Sequence, residues 1–466
     1  MRFRKNYKKI IQILDYQYFI MLKKITLACL TLAILFSSTG CNKTNPDFQK
    51  DAQNPIFIHK SLRKITDIIT YDIFTPPVAN RIYAYSTIAG YEALLPAYPD
   101  YQSLSGQITG LEAAPKPDAT KTYCFPLASA HAMLLVGKKL TFSDDEMDTY
   151  IKSIHEDFQK LNMPKDVFTN SLEYGEIIAK HILAWSGKDN YKESRSAPKY
   201  SIDLKSEQKW KPTPPTYADA VEPHWRTIRP LTLDSAAQFK PARPTTFSKD
   251  KKSAFYKQAM EVYETGKKND DFTRETARFW DDNAIATQVS GHFMTSVKKI
   301  TPGGHWLNIT RSVAENKKAD LMKSMQSYTL VAIGGLDAFI SCWDEKYRSE
   351  HIRPETYINN YIDKDWRPNP LQTPPFPEYT SGHSVVSGAS STILTALFGD
   401  NVAVTDSTEV QYGIPARTFE SFEKAASQAA ISRMYGGIHF RPAIENGLTQ
   451  GQNIGKNVLA KIKSRK

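Results

Sequence analysis

Residues 381–399, SGHSVVSGASSTILTALFG, have the pattern of a helix that begins at a polar turn. Ser381 stands at the start as a possible cap, and Gly399 is a helix stop signal. Apolar residues recur at intervals of three and four between them, which places them on one helix face: Val386, Ala389, Ile393 and Leu397. The Ser-Gly-His start is either a helix cap with no further role or an anion-binding site beside His383.

The same periodicity extends over much of the chain. It is present at 321–343, 422–433 and 444–462, and again in the N-terminal half at 56–185. Alternation with a period of two, which is typical of strands, is scarce. We therefore predict an all-α protein.

A proline-rich stretch at 209–231, KWKPTPPTYADAVEPHWRTIRPL, separates the helical halves and reads as loop by composition. It is either a plain linker or, because it contains Trp210, Trp225 and Ile228, an ordered crossover that packs along the surface. The predicted units are an N-terminal bundle at 42–245, ending in this crossover at about 190–245, and a C-terminal bundle at 246–466 that carries the site.

The N-terminal residues 1–41 have the features of a secretory signal. From Met21, which we take as the translation start, two lysines are followed by a short apolar run and small residues before Cys41. This ending resembles a bacterial lipobox, although Ser38 stands where leucine is usual. We predict lipidation of Cys41; the alternative is an ordinary signal with an incidental cysteine. The predicted protein is secreted and lipid-anchored, periplasmic or on the cell surface, and meets the membrane through the anchor alone.

The net charge of the chain does not indicate a nucleic-acid partner. The formal net charge is +11, and residues 1–41 hold seven basic residues and one acidic residue, so only +5 belongs to the rest of the chain. No basic stripe is present, and we predict no nucleic-acid partner.

Beyond the signal, the chain has two cysteines, Cys124 and Cys342. They could pair in an oxidising compartment, but their positions in the sequence do not decide this.

Basic residues and histidines flank the Ser-Gly-His start on both sides. They lie in KYRSEHIRP at 346–354 and in SRMYGGIHF at 432–440. Arginine forks and a helix start both bind oxyanions, and two histidines can act as nucleophile or ligand and as proton carrier. Together these segments suit a tetrahedral oxyanion with the following residues: Lys346, Arg353, Ser381, Gly382, His383, Arg433 and His439.

The order and spacing of these three motifs resemble those of a known superfamily. It contains the vanadium-dependent haloperoxidases and the type 2 phosphatidic acid phosphatases, and the resemblance covers about residues 340–445, with the chloroperoxidase-like bacterial branch as the nearest pattern. It implies a helical-bundle fold. It also implies that His439 bonds to vanadium, or attacks phosphorus, and that His383 is the acid–base residue. The oxygens of vanadate or phosphate would be bound by Lys346, Arg353, Ser381, Gly382 and Arg433, and Lys346 would also polarise bound peroxide.

Two positions depart from the pattern of the superfamily. Thr380 stands where proline is usual, which should change loop stiffness and not chemistry. Ala443 stands where an aspartate commonly orients the nucleophilic histidine of the phosphatases, and this disfavours a phosphatase. Either Glu445 substitutes for that carboxylate from the next helix, or no residue does.

Two aromatic residues favour a peroxidase. Trp343 and Phe376 stand where chloroperoxidase-like members carry a tryptophan and a phenylalanine that line the halide site; packing in the core is the alternative for each. The length of the chain also suits the two-bundle haloperoxidases better than the short phosphatases.

Two further segments, RFWDDN at 278–283 and TPGGHWLNI at 301–309, resemble haloperoxidase-related bacterial sequences. Within the first, Asp281 or Asp282 would reach the site and orient an arginine. The alternative is a pair of charges on a helix surface.

We therefore predict a vanadate-dependent haloperoxidase that oxidises halide with hydrogen peroxide to hypohalous acid, for use on a small organic acceptor. Two alternatives remain open on the sequence. One is an acid phosphatase that acts through a phospho-histidine and needs no vanadate. The other is a non-catalytic helical surface lipoprotein. The sequence does not identify the halide.

Overall fold

The structure is a computed structural model that describes residues 13–14, 16–25, 44–284, 287–290, 292–296 and 298–466. The predicted lipidation site Cys41 and most of the predicted signal lie outside the described residues. Within them, no helix combines the length and the apolar character needed to cross a membrane.

Helices dominate the chain, as predicted. They are α1 Phe48–Asp51, α2 Ile56–Tyr71, α3 Pro76–Leu94, α4 Phe125–Leu140, α5 Asp144–Gln159, α6 Lys165–Ser186, α7 Tyr191–Ser196, α8 Ala254–Lys268, α9 Asp271–Phe279, α10 Pro302–Asn316, α11 Leu321–Ser349, α12 Pro354–Tyr361, α13 Gly382–Phe398, α14 Phe422–Tyr435 and α15 Arg441–Lys461. Two short antiparallel strand pairs, which the periodicity did not predict, join β1 Thr287–Ser290 to β2 Phe293–Ser296 and β3 Val404–Asp406 to β4 Arg417–Phe419.

Helix α11 is the centre of the fold. Its N-cap Asp320 accepts a hydrogen bond from the backbone N–H of Lys323 at 2.7 Å, and Glu350 ends it in a left-handed conformation with φ 49°. The helix is buried along most of its length and packs against α3 and α13. Because α3 belongs to the predicted N-terminal bundle, one continuous apolar core runs through both predicted units.

The proline-rich stretch is an ordered crossover that packs on α11, as its tryptophans suggested. Asp337 of α11 accepts hydrogen bonds from the backbone N–H of Leu231 at 2.7 Å and from the backbone and hydroxyl of Thr232 at 2.8 and 2.6 Å. Trp210 and Trp225 are both buried. The crossover is therefore part of the core and not a free linker.

The two cysteines that the structure describes do not form a disulfide. Cys124 and Cys342 are both buried free thiols. The pairing left open by the sequence is therefore excluded.

Glycines bring α13 and α15 close together. A Cβ atom added at Gly451 would lie 2.0 Å from the carbonyl oxygen of Val385, far inside van der Waals contact. This close approach lets the N–H of Ser381, at the start of α13, donate to the carbonyl oxygen of Ala443 in α15 at 3.1 Å. The helix contact thus fixes the position of a predicted anion-binding residue.

We expect Gly451→Ala to destabilise the fold by about 1–3 kcal/mol or more, because α13 and α15 must separate to admit the methyl group. Thermal unfolding followed by circular dichroism measures this as a lower Tm. Gly187→Ala is the matched control, since a Cβ there would come no closer than 3.4 Å to another atom. Equal Tm values for the two variants would contradict the close contact.

Candidate active site

The predicted functional residues meet around one cavity. Its lining includes Asp282, Trp343, Phe376, Gly382, His383, Arg433 and His439. Lys346 and Arg353 lie behind this wall, with their charged groups 5.0 and 5.1 Å from the centre of the Phe376 ring. Both cations are fully buried. The three motifs that are separate in the sequence therefore form a single site.

The start of α13 presents its first residues to the cavity. The side chain of Ser381 caps the helix by accepting a hydrogen bond from the N–H of Ser384 at 3.3 Å. Gly382 and His383 are then the first two helical residues. Their N–H groups belong to the helix terminus, which carries partial positive charge and attracts anions. The Ser-Gly-His segment is therefore both a helix cap and part of the cavity wall.

A glycine turn places Arg433 and His439 on the same cavity. Helix α14 ends at Tyr435, and Gly437 follows with φ 79°, a left-handed conformation that favours glycine. The chain turns there, and α15 begins two residues after His439. The double glycine in the sequence is thus needed for the geometry of the site.

Lys346 is bound entirely by backbone carbonyl groups. Its Nζ donates to the oxygens of Pro377, Glu378 and Thr380 at 2.9, 3.0 and 2.6 Å, and these bonds use all three ammonium hydrogens. Burial lowers the pKa of Lys346 to about 7. Lys346 therefore fixes the loop before α13, and a bond from it to an anion would have to replace one of the three carbonyls.

Two arginines carry buried N–H groups that have no partner among the described residues. Arg353 donates through Nε to the oxygen of Phe376 and through Nη1 to that of Ile438, both at 2.9 Å, but its Nη2 is unpaired. Arg433 donates through Nη1 to the carbonyl of Trp280, and its Nε is unpaired. Burial lowers the pKa of both side chains to about 10, so they stay charged at neutral pH. Unpaired buried cationic donors are costly, and an oxyanion would satisfy them.

His439 is oriented by a carboxylate that the sequence analysis missed. Its Nδ1 lies 2.9 Å from Glu378 Oε1, which also accepts the N–H of Phe440 at 3.0 Å, while Oε2 lies 3.0 Å from His351 Nδ1. Burial opposes ionisation of Glu378, but the hydrogen bonds from the two histidines outweigh it and bring its pKa below the ordinary range. An ionised Glu378 accepts the Nδ1 proton of His439.

The other ring nitrogen of His439 is the one that a metal could bind. Burial lowers the pKa of His439 to about 3, so the imidazole is neutral, and its Nε2 carries a lone pair that accepts a hydrogen bond from Arg353 Nη1 at 3.2 Å. A metal would have to take the place of Arg353 at this nitrogen. A carboxylate on one nitrogen and a lone pair on the other is the usual arrangement of a metal-binding histidine.

Of the two alternatives that the sequence left open at Ala443, replacement of the missing aspartate by Glu445 is excluded. Glu445 is exposed and pairs with Arg441 on the surface of α15, 3.6 Å away. Ala443 is buried and contributes only its backbone carbonyl, to Ser381. The carboxylate for His439 comes instead from Glu378, on the loop before α13.

The two aspartates of RFWDDN have different roles from the one expected. Asp281 pairs with Lys299, and Arg433 is held by the Trp280 carbonyl and not by either carboxylate. Asp282 lines the cavity, with Oδ2 3.7 Å from Nε2 of His383. Asp282 therefore reaches the site, and it faces the predicted acid–base residue. Neither aspartate forms a hydrogen bond with Arg433, but the charges of both oppose the burial that lowers the pKa of this arginine.

His383 is neutral in this environment. Burial, followed by the charge of Arg433, holds its pKa well below the usual range. Its Nε2 is buried without a hydrogen-bond partner among the described residues. A neutral imidazole beside an anion site can accept a proton.

Aromatic rings form the apolar side of the cavity. Trp343 packs on Phe376 with ring centres 5.0 Å apart and on Phe339 at 5.2 Å. The Trp343 Nε1 donates to the carbonyl of Val221 in the crossover at 3.2 Å. Trp343 and Phe376 thus both line the cavity and pack in the core. The predicted halide site is a wall of the cavity that contacts the crossover through the hydrogen bond of Trp343 to Val221.

Sequence analysis also missed a buried cluster next to Asp282. His305 lies 2.8 Å from Asp282 and 2.6 Å from Asp406. His305 belongs to the TPGGHWLNI segment, whose resemblance to haloperoxidase-related sequences was the only available signal. For Asp406 and Glu378 the sequence offered none, because each contacts a histidine more than 60 residues away along the chain.

Comparison with known proteins identifies the family. The model of the VCPO second helical-bundle domain matches residues 359–465. The solved structure of the first bacterial vanadium-dependent iodoperoxidase is 48% identical, covers 88% of this chain and 96% of its own, and superimposes with a TM-score of 0.83. A bacterial vanadium-dependent chloroperoxidase shares the fold in its holo form (TM-score 0.63, 16% identity, 84% and 93% of the two chains) and apo form (0.62, 15%, 83% and 94%). No curated protein sequence matches the chain.

The chain belongs to the vanadium-dependent haloperoxidases. It is an enzyme that uses vanadate to oxidise halide with hydrogen peroxide, and the phosphatase and non-catalytic alternatives are set aside. The residues present fit vanadate, because Arg353 Nη2 and Arg433 Nε are buried cationic donors without a partner among the described residues, and the Nε2 lone pair of the neutral His439 lies next to Arg353. These residues, with Ser381 and Gly382, would hold the cofactor.

Proposed function

We propose that this haloperoxidase acts on iodide, at the cavity formed by the three motifs. The proposal is supported by the 48% identity to a protein described as an iodoperoxidase. It is also supported by the wall of Phe339, Trp343 and Phe376, because iodide is large, polarisable and weakly hydrated and therefore suits an apolar, aromatic site. The oxidised halogen would then react with a small organic acceptor.

The roles of the residues in the site are assigned from one observation: the neutral His439 is oriented by Glu378 and lies next to unpaired cationic donors. Bound vanadate supplies a Lewis acid that activates peroxide without a change in oxidation state. Arg353 and Arg433 would neutralise the charge of the bound oxyanion, and Lys346 would add positive charge behind the loop. His383, a neutral imidazole, would accept a proton from hydrogen peroxide and hold it at the edge of the site.

Reconstitution tests this proposal. Vanadate added to the purified apo-protein should confer peroxide-dependent oxidation of iodide, with bromide slower and chloride slowest. Phosphate should compete with vanadate for the same cationic donors. A protein that oxidises chloride or bromide as efficiently as iodide would contradict the iodide proposal. If vanadate only inhibited phosphate-ester hydrolysis, the assignment of the site would fail.

Phe376→His should change the preference among halides while vanadate remains bound. The substitution introduces a polar ring into the apolar wall but leaves the backbone carbonyl that Arg353 binds. The ratio of iodide to bromide oxidation at saturating vanadate measures this. Phe255→His is the control, because Phe255 is a buried aromatic residue that does not line the cavity. An unchanged ratio in Phe376→His would leave core packing as the only role of the ring.

We further propose that the protein is lipid-anchored through Cys41 and faces the periplasm or the cell exterior. The support is the sequence FSSTGC at 36–41, after two lysines and an apolar run. Cys41→Ser should move the enzyme from the membrane fraction to the soluble fraction with its activity retained. Cys124→Ser is the control and should leave the enzyme with membranes. A mass spectrum showing an unmodified N-terminus at another residue would contradict the anchor.

A further inference from the structure

Three acidic residues and one histidine form a buried cluster next to the part of the active site that contains His383. Asp282 follows α9, His305 lies in the first turns of α10, Asp406 ends β3, and Glu409 lies in the 3₁₀ turn at Thr408–Tyr412. All four residues are at most 1% exposed. A carboxylate that is buried so completely needs a compensating partner.

His305 supplies that partner for two of the carboxylates. Its Nδ1 lies 2.8 Å from Asp282 Oδ1, and its Nε2 lies 2.6 Å from Asp406 Oδ2. An imidazole can donate from both nitrogens only when it is protonated on both. Burial opposes this charge, but the two aspartates outweigh it and hold the pKa of His305 well above the usual range. The Trp280 ring stacks on His305 with centres 4.5 Å apart and favours a cation there.

Glu409 carries a proton in the same cluster. Both of its carboxylate oxygens are buried without a hydrogen-bond partner among the described residues. Burial, and then the charge of Asp282, raise its pKa to about 8. Its near cation, Lys299, is already paired with Asp281. At neutral pH the cluster therefore holds two carboxylates, one imidazolium and one neutral acid.

Asp282 connects this cluster to the site. Its backbone has φ 39°, a left-handed conformation that is uncommon for a residue other than glycine and that clusters at functional positions. One carboxylate oxygen of Asp282 binds His305, and the other lies 3.7 Å from His383 Nε2. The orientation of Asp282 toward His383 thus depends on His305, which depends on Asp406.

A divalent cation is the rival explanation for a group of His and acidic side chains. Asp282, His305 and Glu409 bring possible ligand atoms within 4.8 Å of one another. However, two ligands that each lie about 2.0–2.2 Å from one ion stand more than about 3 Å apart in tetrahedral geometry. The 2.8 Å separation of His305 and Asp282 is that of a hydrogen bond. The distances favour protons over a metal.

We propose that His305 and Asp406 are positioning residues for the acid–base step of halide oxidation, because they fix the orientation and charge of Asp282 opposite His383. Neither residue lines the cavity. They are therefore expected to affect proton transfer and not the binding of halide or vanadate. The other charged or titratable groups that face the cluster are Lys299, Asp281, Arg433, His383, Tyr412 and Arg63.

Nitrogen-15 NMR of histidine-labelled apo-protein tests the proposal without relying on activity. His305, assigned through His305→Gln, should show both ring nitrogens protonated at pH 7. A neutral imidazole at pH 7 would overturn the proposal. Metal analysis is the second check: stoichiometric zinc or manganese, or a thermal shift with either ion that disappears in Glu409→Gln, would overturn it in favour of a metal site.

Asp406→Asn tests the role in catalysis. Its amide can donate to His305 Nε2, which then loses its proton, so that Asp282 keeps a hydrogen bond but loses the neighbouring cation. We expect kcat to fall by about tenfold or more, with the KM for iodide and vanadate affinity retained. The positive charge of His305 lowers the pKa of His383, so its loss should move the acid limb of the kcat profile to higher pH.

Asp337→Asn is the matched control, since it removes an equally buried carboxylate that binds the crossover. It is expected to lower Tm without moving the acid limb. An Asp406→Asn enzyme with an unmoved limb, or with kcat and vanadate affinity lowered in parallel, would overturn the proposal. If this variant does not fold, the NMR measurement on the wild-type protein still decides.

Discussion

Replacement of His439 by alanine is expected to remove almost all halide oxidation. Glu378 binds Nδ1 of His439, so the Nε2 lone pair, which accepts a hydrogen bond from Arg353 Nη1, is the one left for vanadate. Even removal of a group that orients a metal-binding histidine costs about 10–100-fold, so loss of the ligand itself should cost more than about a hundredfold. Peroxide-dependent oxidation of iodide at saturating vanadate measures this loss.

The same variant should still bind an oxyanion. Arg353 and Arg433 remain in place with their unpaired donors, and charge-assisted hydrogen bonds hold anions without a covalent bond. Equilibrium dialysis with vanadate should therefore detect weakened but measurable binding. Glu378→Gln is expected to lie between the wild type and His439→Ala, with a loss of about 10–100-fold, because it removes the charge that fixes the Nδ1 proton. His181→Ala, at a half-buried histidine outside the cavity, is the control.

A His439→Ala enzyme with full iodide oxidation would contradict the assignment of the ligand. Complete loss of anion binding would instead mean that the arginines do not form the oxyanion site by themselves. The two outcomes separate the role of the histidine from that of the cationic donors.

His383→Ala is expected to slow turnover by about a hundredfold or more, which is typical for loss of a general acid–base group. His383 Nε2 has no partner among the described residues and faces Asp282, so nothing else in the wall is placed to move the proton. Vanadate binding should change little, because the arginine donors and His439 are untouched.

The pH profile separates this role from a structural one. Burial and Arg433 hold the pKa of His383 well below the usual range, so the wild-type residue stays a neutral base at neutral pH and loses this capacity only as the pH falls through its lowered pKa. The acid limb of the kcat profile should therefore flatten in His383→Ala. A loss of activity that follows a parallel loss of vanadate binding would show that His383 binds the cofactor and does not move protons.

The sequence predicted the parts of the site that depend on local structure. Ser381, Gly382 and His383 lie at a helix start, and a helix cap is determined by the few residues next to it. Lys346 and Arg433 lie on helices whose apolar faces were visible as periodicity. The helices and the ordered crossover were therefore predictable, whereas the two short strand pairs have too few residues to give a pattern.

The sequence did not predict contacts made across the fold. Glu378 and His439 are 61 residues apart, and Asp406 and His305 are 101 apart. No periodicity relates such residues, so the sequence offered only Glu445 or no residue as the carboxylate for His439, and Glu378 was missed. The group that binds Arg433 is likewise a backbone carbonyl, that of Trp280, and no residue type or spacing in the sequence indicates such a contact.

The crossover gives this fold two parts that can change independently during evolution. Its residue Val221 accepts hydrogen bonds from Trp343 and from the Tyr347 hydroxyl, at 3.2 and 2.6 Å, and donates to the carbonyl of Pro375 at 3.0 Å. The aromatic wall thus rests on a loop, while the oxyanion cradle comes from helix ends. Connecting segments vary more in sequence than the helices that they join, even where, as here, some of their residues pack in the core. Halide preference can therefore diverge within the lineage by mutation of the crossover, without loss of the cofactor that the chemistry requires.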